Sequence, residues 1–517
     1  MMQRISWPAA LVFAISFVLY YNGILNCFYE IGATSDPSWF SALLWRAGPE
    51  LINPAFINDD NWLGMHFTPI FYIPAILSHL LIFDPIQWLA ICFASMHAFA
   101  SASVAWVSRR VAVRLDANRA WSDTGAALIG LTFALCGLQA VFLWLPHYEI
   151  AIPALLVATC AALALQRPLA SWVFFVVLLG VREDAGLHLA TFLAPLIVIT
   201  LWREKRVLRR ELLFVALAIA YSVAASMAMR QLFPGGGELF QAHYIGDPPF
   251  AHVTWDELSK RFNILFWQTG RVWAPLAVIA AYSLLRRDIE MLIGAVAVMP
   301  YLVIQVALAR HGAAWELAHY YTFPVLFSLA WPTILALYRS GPAALRGSVR
   351  DWPWLPLAVI AAAYVPPMNS KLPFYGSNYR DLSFFVQQGT LSADKYRSFA
   401  VIMSIGRPEL GRLAAVEAAL SFAPRVIRNN EWFRAWKPGD SIKPENVDTL
   451  LIFDGIRPCP DVNALAAAAN LQHTFQVPGT RIVVATRRSL SELPTFRPLL
   501  APYYKRAGWF CNRRRLW

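Results

Sequence analysis

WPAALVFAISFVLYYNGIL, residues 7–25, is the stretch that decides the fold. It carries no charged side chain, and its length approaches the roughly 20 apolar residues that a helix needs to cross a bilayer. It is too long for the apolar core of a signal peptide, and no cleavage site of small residues follows it cleanly. We therefore expect an uncleaved first membrane span, since lipid offers the backbone no hydrogen-bond partner except itself.

Apolar stretches of this kind repeat along the chain, and charged residues are almost confined to the short gaps between them. The pattern predicts a polytopic α-helical membrane protein with about 11 transmembrane helices. The predicted spans are 7–26, 86–107, 121–144, 149–166, 169–182, 185–202, 211–232, 272–286, 289–309, 319–338 and 354–366.

Composition agrees with this class. Of the 517 residues 58% are hydrophobic and 15% are charged, whereas soluble domains usually carry about 25% charged residues. The net charge of +12 could indicate a nucleic-acid partner. The arginines lie in short gaps between spans, however, as cytoplasmic loops require, so we expect no nucleic acid.

Four of the gaps are strongly basic: 109–119, 203–210, 286–287 and 339–350. Lysine and arginine near span ends mark the cytoplasmic side. Placing all four gaps there puts the N-terminus in the cytoplasm and the C-terminus in the periplasm of a multi-pass protein of the bacterial inner membrane.

The apolar stretch 67–83 is ambiguous, because Pro69 and Pro74 interrupt it and Asp84-Pro85 ends it. The alternation of sides holds if this stretch does not cross the bilayer, which favours a re-entrant or juxtamembrane helix. The alternative is a full span, with 169–182 or 354–366 failing to cross.

Two domains are predicted. Residues 1–366 form the membrane domain, with a first periplasmic loop at 27–66, and 367–517 form a small soluble α/β domain in the periplasm. Leu450–Asp454 and Arg481–Ala485 are strand-like and Val462–Asn470 is helix-like. Cys459 and Cys511 are the only cysteines of this domain; an oxidising compartment favours a disulfide between them, and two free thiols remain the alternative.

Once the sides are assigned, acids and histidines gather on the outer face. Alone, Glu149 or Asp184 could be an ordinary helix-start residue, since acids there oppose the helix dipole, and Asp59-Asp60 could be a solvated turn. The turn 182–184 differs: an arginine and two acids between apolar segments are costly near lipid unless they pair across a site. The outer set is Glu30, Asp36, Asp59, Asp60, His66, His147, Glu149, Arg182, Glu183, Asp184, His188, Arg310, His311, Glu316 and His319.

Three functions suit such a cluster. Glycosyl transfer needs a carboxylate base and cations for a leaving phosphate; a metal site could use the same carboxylates and imidazoles. A transporter fits less well, because these acids lie at span ends rather than mid-span. The sequence contains no G-x-x-x-x-G-K-[ST], G-x-S-x-G or H-E-x-x-H motif.

Five motifs in this order resemble one known group. They are Glu30-Ile31-Gly32 with Asp36 beyond, HFTP at 66–69, HYE at 147–149, VREDAG at 181–186 and HYYTFP at 319–324. The sequence resembles the bacterial membrane proteins of domain-of-unknown-function family 2079 over about residues 20–340. That family is similar in layout to the C-type (GT-C) membrane glycosyltransferases, in which a juxtamembrane element resembles 67–83.

The resemblance implies a glycosyltransferase-like protein that takes a sugar from a polyprenyl-phosphate donor at the periplasmic face, with an acceptor that it does not name. Asp36 or Glu30 would be the catalytic base; the family usually has Asp where Glu30 stands, and the spacing to the second acid is one residue longer, so the choice stays open.

Other residues would bind substrate. Arg182, with His66 or His319, would hold the donor phosphate, while Glu183 and Asp184 would orient Arg182 or bind a divalent cation such as Mg or Mn. His147 and Glu149 complete the predicted substrate-binding set. The alternative is a non-enzymatic transporter or lipid-binding protein on the same scaffold.

Overall fold

A computed structural model describes the membrane domain and parts of the C-terminal region. Predictions for Glu30, Asp36, Asp59, Asp60, His311, Cys459 and Cys511, and for the side chain of His319, lie outside what it describes. The described residues are 6–29, 40, 43–44, 51, 61–80, 85–143, 146–233, 241–310, 312–317, 319–342, 344–349, 352–364, 408–416, 434–436, 447–453, 461–477 and 482–502.

Helices dominate up to residue 364. In chain order they are α1 (Trp7–Tyr29), α2 (Trp62–Met65), α3 (Tyr72–Leu80), α4 (Pro85–Arg114), α5 (Arg119–Leu135), α6 (Gly137–Ala140), α7 (Ala151–Ala164), α8 (Pro168–Leu179), α9 (Ala185–Glu204), α10 (Arg209–Leu232), α11 (Trp255–Gln268), α12 (Gly270–Arg286), α13 (Ile289–Val296), α14 (Met299–Val303), α15 (Gly312–Trp315), α16 (Phe323–Ser340) and α17 (Trp354–Ala362). Short 3-10 turns at Pro69–Phe71, Val141–Leu143, Tyr148–Ile150 and His319–Thr322 and π turns at Gln241–Ile245 and Ile304–Leu308 join them.

The helical membrane-type fold is confirmed, but the count of eleven spans is not. By length and apolar character, six described helices could cross a membrane, or eight if each of two bent pairs is one span. The number of spans is lower than predicted because three of the predicted spans are only short helices in the structure. These are α7, α8 and α17, with 14, 12 and 9 residues, against the roughly 20 that a perpendicular span needs.

The ambiguous stretch 67–83 forms the turn Pro69–Phe71 and the nine-residue helix α3. At 1.5 Å per residue, α3 rises only about 14 Å, less than half of a hydrocarbon core of about 30 Å. Residues 81–84, which follow it, lie outside the described residues, so the non-crossing interpretation stays a prediction.

Helix α16 forms the centre of the membrane domain. Every residue from Phe323 to Arg339 is buried, as expected for a helix that is apolar on all sides. Pro332 lies inside it, which neighbouring membrane helices make tolerable.

The basic gaps meet at one end of the helices, which we call the basic end. The Arg114 guanidinium donates to the Ser340 carbonyl at 2.9 Å, and the Arg206 guanidinium donates to the Ala344 carbonyl at 3.2 Å. Arg339 makes a two-point ion pair with Asp288, at 2.6 and 2.7 Å. The gaps 109–119, 203–210, 286–287 and 339–350 thus adjoin one another, as the assignment of sides predicts.

The C-terminal region contains the mixed α/β structure that the sequence predicts. Six strands pair in the order β2-β1-β3-β5-β4-β6, with β1 parallel to β2 and β3, and the remaining pairs antiparallel. The strands are β1 (Leu413–Val416), β2 (Arg434–Trp436), β3 (Thr449–Phe453), β4 (His473–Gln476), β5 (Ile482–Thr486) and β6 (Ala501–Pro502), with a helix at Val462–Ala468 and 3-10 turns at Pro408–Leu410 and Leu490–Glu492.

Candidate functional site

The turn between α8 and α9 places Arg182 at the centre of an ion-pair cluster. Its Nε donates to Asp184 Oδ1 at 2.5 Å and its Nη2 to Asp184 Oδ2 at 2.6 Å. Its Nη1 pairs with Glu149 Oε1, which the chain brings from the turn before α7. The side chains of Arg182 and Glu149 are only 11% and 3% exposed, so each charge depends on the other for compensation.

Electrostatics keep Arg182 and Asp184 ionised. Burial alone would favour the neutral forms, but the Asp184 carboxylate raises the pKa of Arg182 well above its usual value. In the same way, burial opposes ionisation of Asp184, yet the Arg182 guanidinium holds the pKa of that carboxyl well below its usual range.

Asp184 precedes the first residue of α9 but makes no side-chain cap there, because both of its oxygens face Arg182. His188, one helical turn further on, lies with Nε2 3.7 Å from Asp184 Oδ2. The carboxylate therefore serves the site and not the helix start.

Glu183 points to a different partner, the HFTP segment. Its Oε1 lies 3.2 Å from His66 Nδ1, and its Oε2 accepts the Phe67 backbone N–H at 3.0 Å. The Ile70 N–H also donates to the Gly180 carbonyl at 2.8 Å. Because Nδ1 of His66 faces Glu183, Nε2 of the same ring is left for another partner.

His147 is held by aromatic rings. It stacks on Tyr320 with ring centroids 3.7 Å apart, and Phe40 meets it edge-on at 5.0 Å. Its Nδ1 accepts the Glu149 backbone N–H at 3.4 Å. Burial, and then the positive charge of Arg182, lowers the pKa of His147 well below its usual value, so the ring is neutral at pH 7.

The site retains donors for a ligand. Arg182 has five N–H groups, of which three contact Asp184 and Glu149; the other two have no hydrogen-bond partner among the described residues. Within those residues, no three His, Cys, Asp or Glu side chains are arranged to hold a metal ion.

The structure brings together His66, His147, Glu149, Arg182, Glu183 and Asp184 from the predicted set. His319 begins the turn that leads into α16. Sequence reasoning missed the aromatic partners, namely Tyr320 on His147 and Phe323, whose ring centroid lies 5.2 Å from Arg182 Cζ. The signal was present, since both follow His319 in HYYTFP.

The fold has a known relative. The crystal structure of ArnT from Cupriavidus metallidurans bound to undecaprenyl phosphate superposes with a TM-score of 0.50 at 14% sequence identity, covering 94% of this chain and 99% of that one. The apo state of the same protein gives a TM-score of 0.44 at 14% identity, covering 93% and 97%. At this identity the likeness concerns the fold alone: the chain shares the helical membrane fold of that structure.

The sequence comparisons give a family but no curated relative. No curated protein matches the chain. The model of one family of predicted membrane proteins matches residues 32–366, which is most of the chain and includes every described residue of the site. The chain belongs to the predicted membrane protein family DUF2079.

Proposed function

We propose that this protein transfers a sugar from a polyprenyl-phosphate donor to an acceptor at the periplasmic face of the bacterial inner membrane. One observation carries the proposal: a nearly buried, ion-paired Arg182 lies among the turns that precede α7, α9 and α16. Phe40 of that loop, four residues after Asp36, contacts His147, and His147 adjoins Glu149.

The shared fold supports a lipid-phosphate donor. ArnT, which has the same helical layout, was solved with undecaprenyl phosphate bound. In our proposal the two remaining N–H groups of Arg182 bind the donor phosphate, with His66 or His319 beside them. A guanidinium suits this task because its planar donors match phosphate oxygens.

The reaction needs one base and one anion site. The acceptor hydroxyl oxygen bonds to the anomeric carbon, the bond from that carbon to the phosphate oxygen breaks, and polyprenyl phosphate leaves. Asp36 or Glu30 takes the hydroxyl proton, a step worth typically 10²–10⁴-fold in rate. Arg182 stabilises the charge that grows on the leaving phosphate.

The surrounding acids keep the binding groups in place. Asp184 and Glu149 fix the guanidinium plane through three contacts, and Glu183 fixes the ring of His66. Such pre-arranged groups cost little reorganisation in the transition state. The alternative role for Glu183 and Asp184 is to bind a divalent cation, Mg or Mn, as cofactor, and the chelator arm of the test below distinguishes the two roles.

The direct test follows release of polyprenyl phosphate and transfer of labelled sugar by the purified protein, with and without chelator. We expect one of the variants Glu30→Gln and Asp36→Asn to lose about 100-fold or more in rate. Asp116→Asn is the matched control, because Asp116 is exposed beyond α4 at the basic end and has a positive φ of 52°, which Asn accepts.

The three possible negative results test the base, the enzymatic activity and the cation separately. If both loop variants are as active as the control, the base assignment is wrong. If the wild-type protein binds the donor but never cleaves it, the transporter or lipid-binding alternative replaces the enzyme. If chelator has no effect, the cation is not required.

A further inference from the structure

A cavity opens at the basic end of the helices, where Arg114 and Ser340 meet, away from the candidate site. Its volume is about 690 Å³, and it lies between the start of α1 and helices α4, α7 and α8. None of the residues proposed for sugar transfer lines it.

The cavity is amphiphilic along its length. The side chains that α4 contributes follow one helical face from Phe99 through Trp106 and Arg110 to Arg114. At 1.5 Å per residue this face extends about 22 Å. The first half is apolar except for Ser103, and the last part carries Arg110 and Arg114. This is the polarity of a lipid molecule.

The apolar half, which we call the groove, is lined by small and aromatic side chains. On α7 it is walled by Ala158, Ala161 and Ala162, small residues that leave room between helices. Phe99 and Phe174 close it, with ring centroids 5.8 Å apart. Polar side chains are few at this depth, so the groove suits an acyl chain rather than water.

The cationic half gathers three arginines: Arg110, Arg114 and Arg167. Arg114 is fixed by its hydrogen bond to the Ser340 carbonyl, and Arg110 lies over the Trp106 ring at 5.1 Å. Arg109 is different, since it pairs with Asp123 at 2.5 Å and does not line the cavity. No Asp or Glu is among the described residues that line it.

The helix geometry adds to the positive field. Arg167 is the residue before α8, and Pro168 opens that helix. The first backbone N–H groups of a helix and its dipole favour an anion at this position. Together with the three guanidinium groups, they make this end of the cavity strongly positive.

We propose that this cavity binds one anionic phospholipid, with the headgroup phosphate at Arg110, Arg114 and Arg167 and an acyl chain along the alanine wall of α7. Basic pockets between membrane helices on the cytoplasmic side are typical sites for anionic headgroups. The lipid would pack between α1, α4 and α8 and would be separate from the sugar donor, so the inference does not depend on the proposed function.

The test uses delipidated full-length protein in detergent. Bound lipid is counted by native mass spectrometry, and thermal unfolding is followed after addition of phosphatidylglycerol, phosphatidylcholine or inorganic phosphate. We expect one molecule of phosphatidylglycerol to bind and to raise the unfolding temperature. Phosphatidylcholine and inorganic phosphate should have little effect on that temperature.

The double variant Arg110→Gln/Arg167→Gln should weaken phosphatidylglycerol binding by roughly tenfold or more. Arg209→Gln/Arg210→Gln is the matched control, because it removes the same charge from exposed residues of the basic end that do not line the cavity. Ala102→Phe, which fills the groove and keeps all arginines, should also reduce binding.

Three results would overturn the proposal. They are equal phosphatidylglycerol binding by the double variant and its control, equal binding of phosphatidylcholine, and equal stabilisation by inorganic phosphate, which would indicate an ion site rather than a lipid site.

Discussion

Arg182 is the residue on which the proposed chemistry depends most. A lysine would keep its charge but has no planar fork to bridge Asp184 and Glu149 and still bind phosphate. We expect Arg182→Lys to lower sugar transfer by about 100-fold, as for loss of an oxyanion donor. The measurement is the rate of polyprenyl phosphate release.

Arg203→Lys serves as its control. Arg203 also pairs with an acid, Glu290, at 3.1 Å, but at the basic end and with 39% of its side chain exposed. A change of less than about twofold is expected there. Full activity of Arg182→Lys would make Arg182 a structural ion-pair residue only.

His147 gives a pH dependence with a definite sign. Its folded-state pKa lies below the ordinary value of about 6.5, so below about pH 6.5 the unfolded chain binds a proton that the folded chain does not. Its contribution to stability is therefore complete above about pH 6.5. It declines as the pH falls, by up to about 1.4 kcal/mol per pH unit.

Unfolding temperatures between about pH 7.5 and 5.5 test this prediction. The variant His147→Phe retains a ring to stack on Tyr320 but cannot titrate. The wild-type protein should lose more stability on acidification than the variant. Parallel curves for the two proteins would show that folding does not lower the pKa of His147, and would contradict the prediction.

The sequence predicts that Arg182 pairs with an acid, but it does not identify which acid. The sequence indicates that charges in the 182–184 turn must pair near lipid, and this is what the structure shows. It could not name Glu149, because 33 residues and two helices separate the pair and helix packing alone decides their distance. It also could not tell that Asp184 serves Arg182 while Glu183 serves His66.

At the scale of elements, long apolar runs were predictable and short or mixed ones were not. Each predicted span corresponds to described helix, but α11 was missed in the gap between the predicted spans 211–232 and 272–286. Its sequence WDELSKRFNILFWQ mixes charges with aromatic residues, so it has no apolar run. The side chain of Thr254 accepts the Glu257 N–H at 3.3 Å and caps the start of the helix. This capping threonine is the feature of the sequence that would have indicated α11.

Helix α9 depends on close packing directly after the 182–184 turn. A Cβ on Gly186 would lie 2.9 Å from Leu179 Cδ2 and 3.0 Å from Ala218 Cβ. Gly186→Leu should therefore push α9 away from α10, cost about 1–3 kcal/mol of stability, and lower activity by shifting Asp184.

Gly125→Leu is the matched control, since a Cβ there meets no heavy atom within 4 Å in the described part of the chain. Replacing a helical glycine at such a position should be neutral or stabilising, by up to about 1 kcal/mol. Thermal unfolding of both variants in detergent compares them. A Gly186→Leu protein as stable as the control would show that α9 and α10 separate without cost.

At the scale of the whole molecule, charge is divided between two ends. The basic gaps adjoin one another through Arg114, Arg206 and Arg339, while the acids and histidines of the candidate site meet at other turns. The sequence predicts this division because the positive-inside rule constrains each loop. It does not show which side of the membrane either end faces.

Labelling of single cysteines in a cysteine-free background determines that orientation. Positions in 27–60 and 234–260 should react with a membrane-impermeant maleimide from the periplasm, and positions in 203–210 only after permeabilisation. Ala251→Cys and Val207→Cys are suitable examples, because both residues are exposed. The backbone N–H of Arg310, just after the predicted span 289–309, donates to the His243 carbonyl at 2.8 Å. The segment that runs from His243 to Ala251 therefore begins next to the end of that span. Labelling of Val207→Cys but not Ala251→Cys in intact cells would show that the protein has the opposite orientation. The proposed transfer would then take place in the cytoplasm, and Asp36 and Glu30 would be out of reach of a periplasmic acceptor.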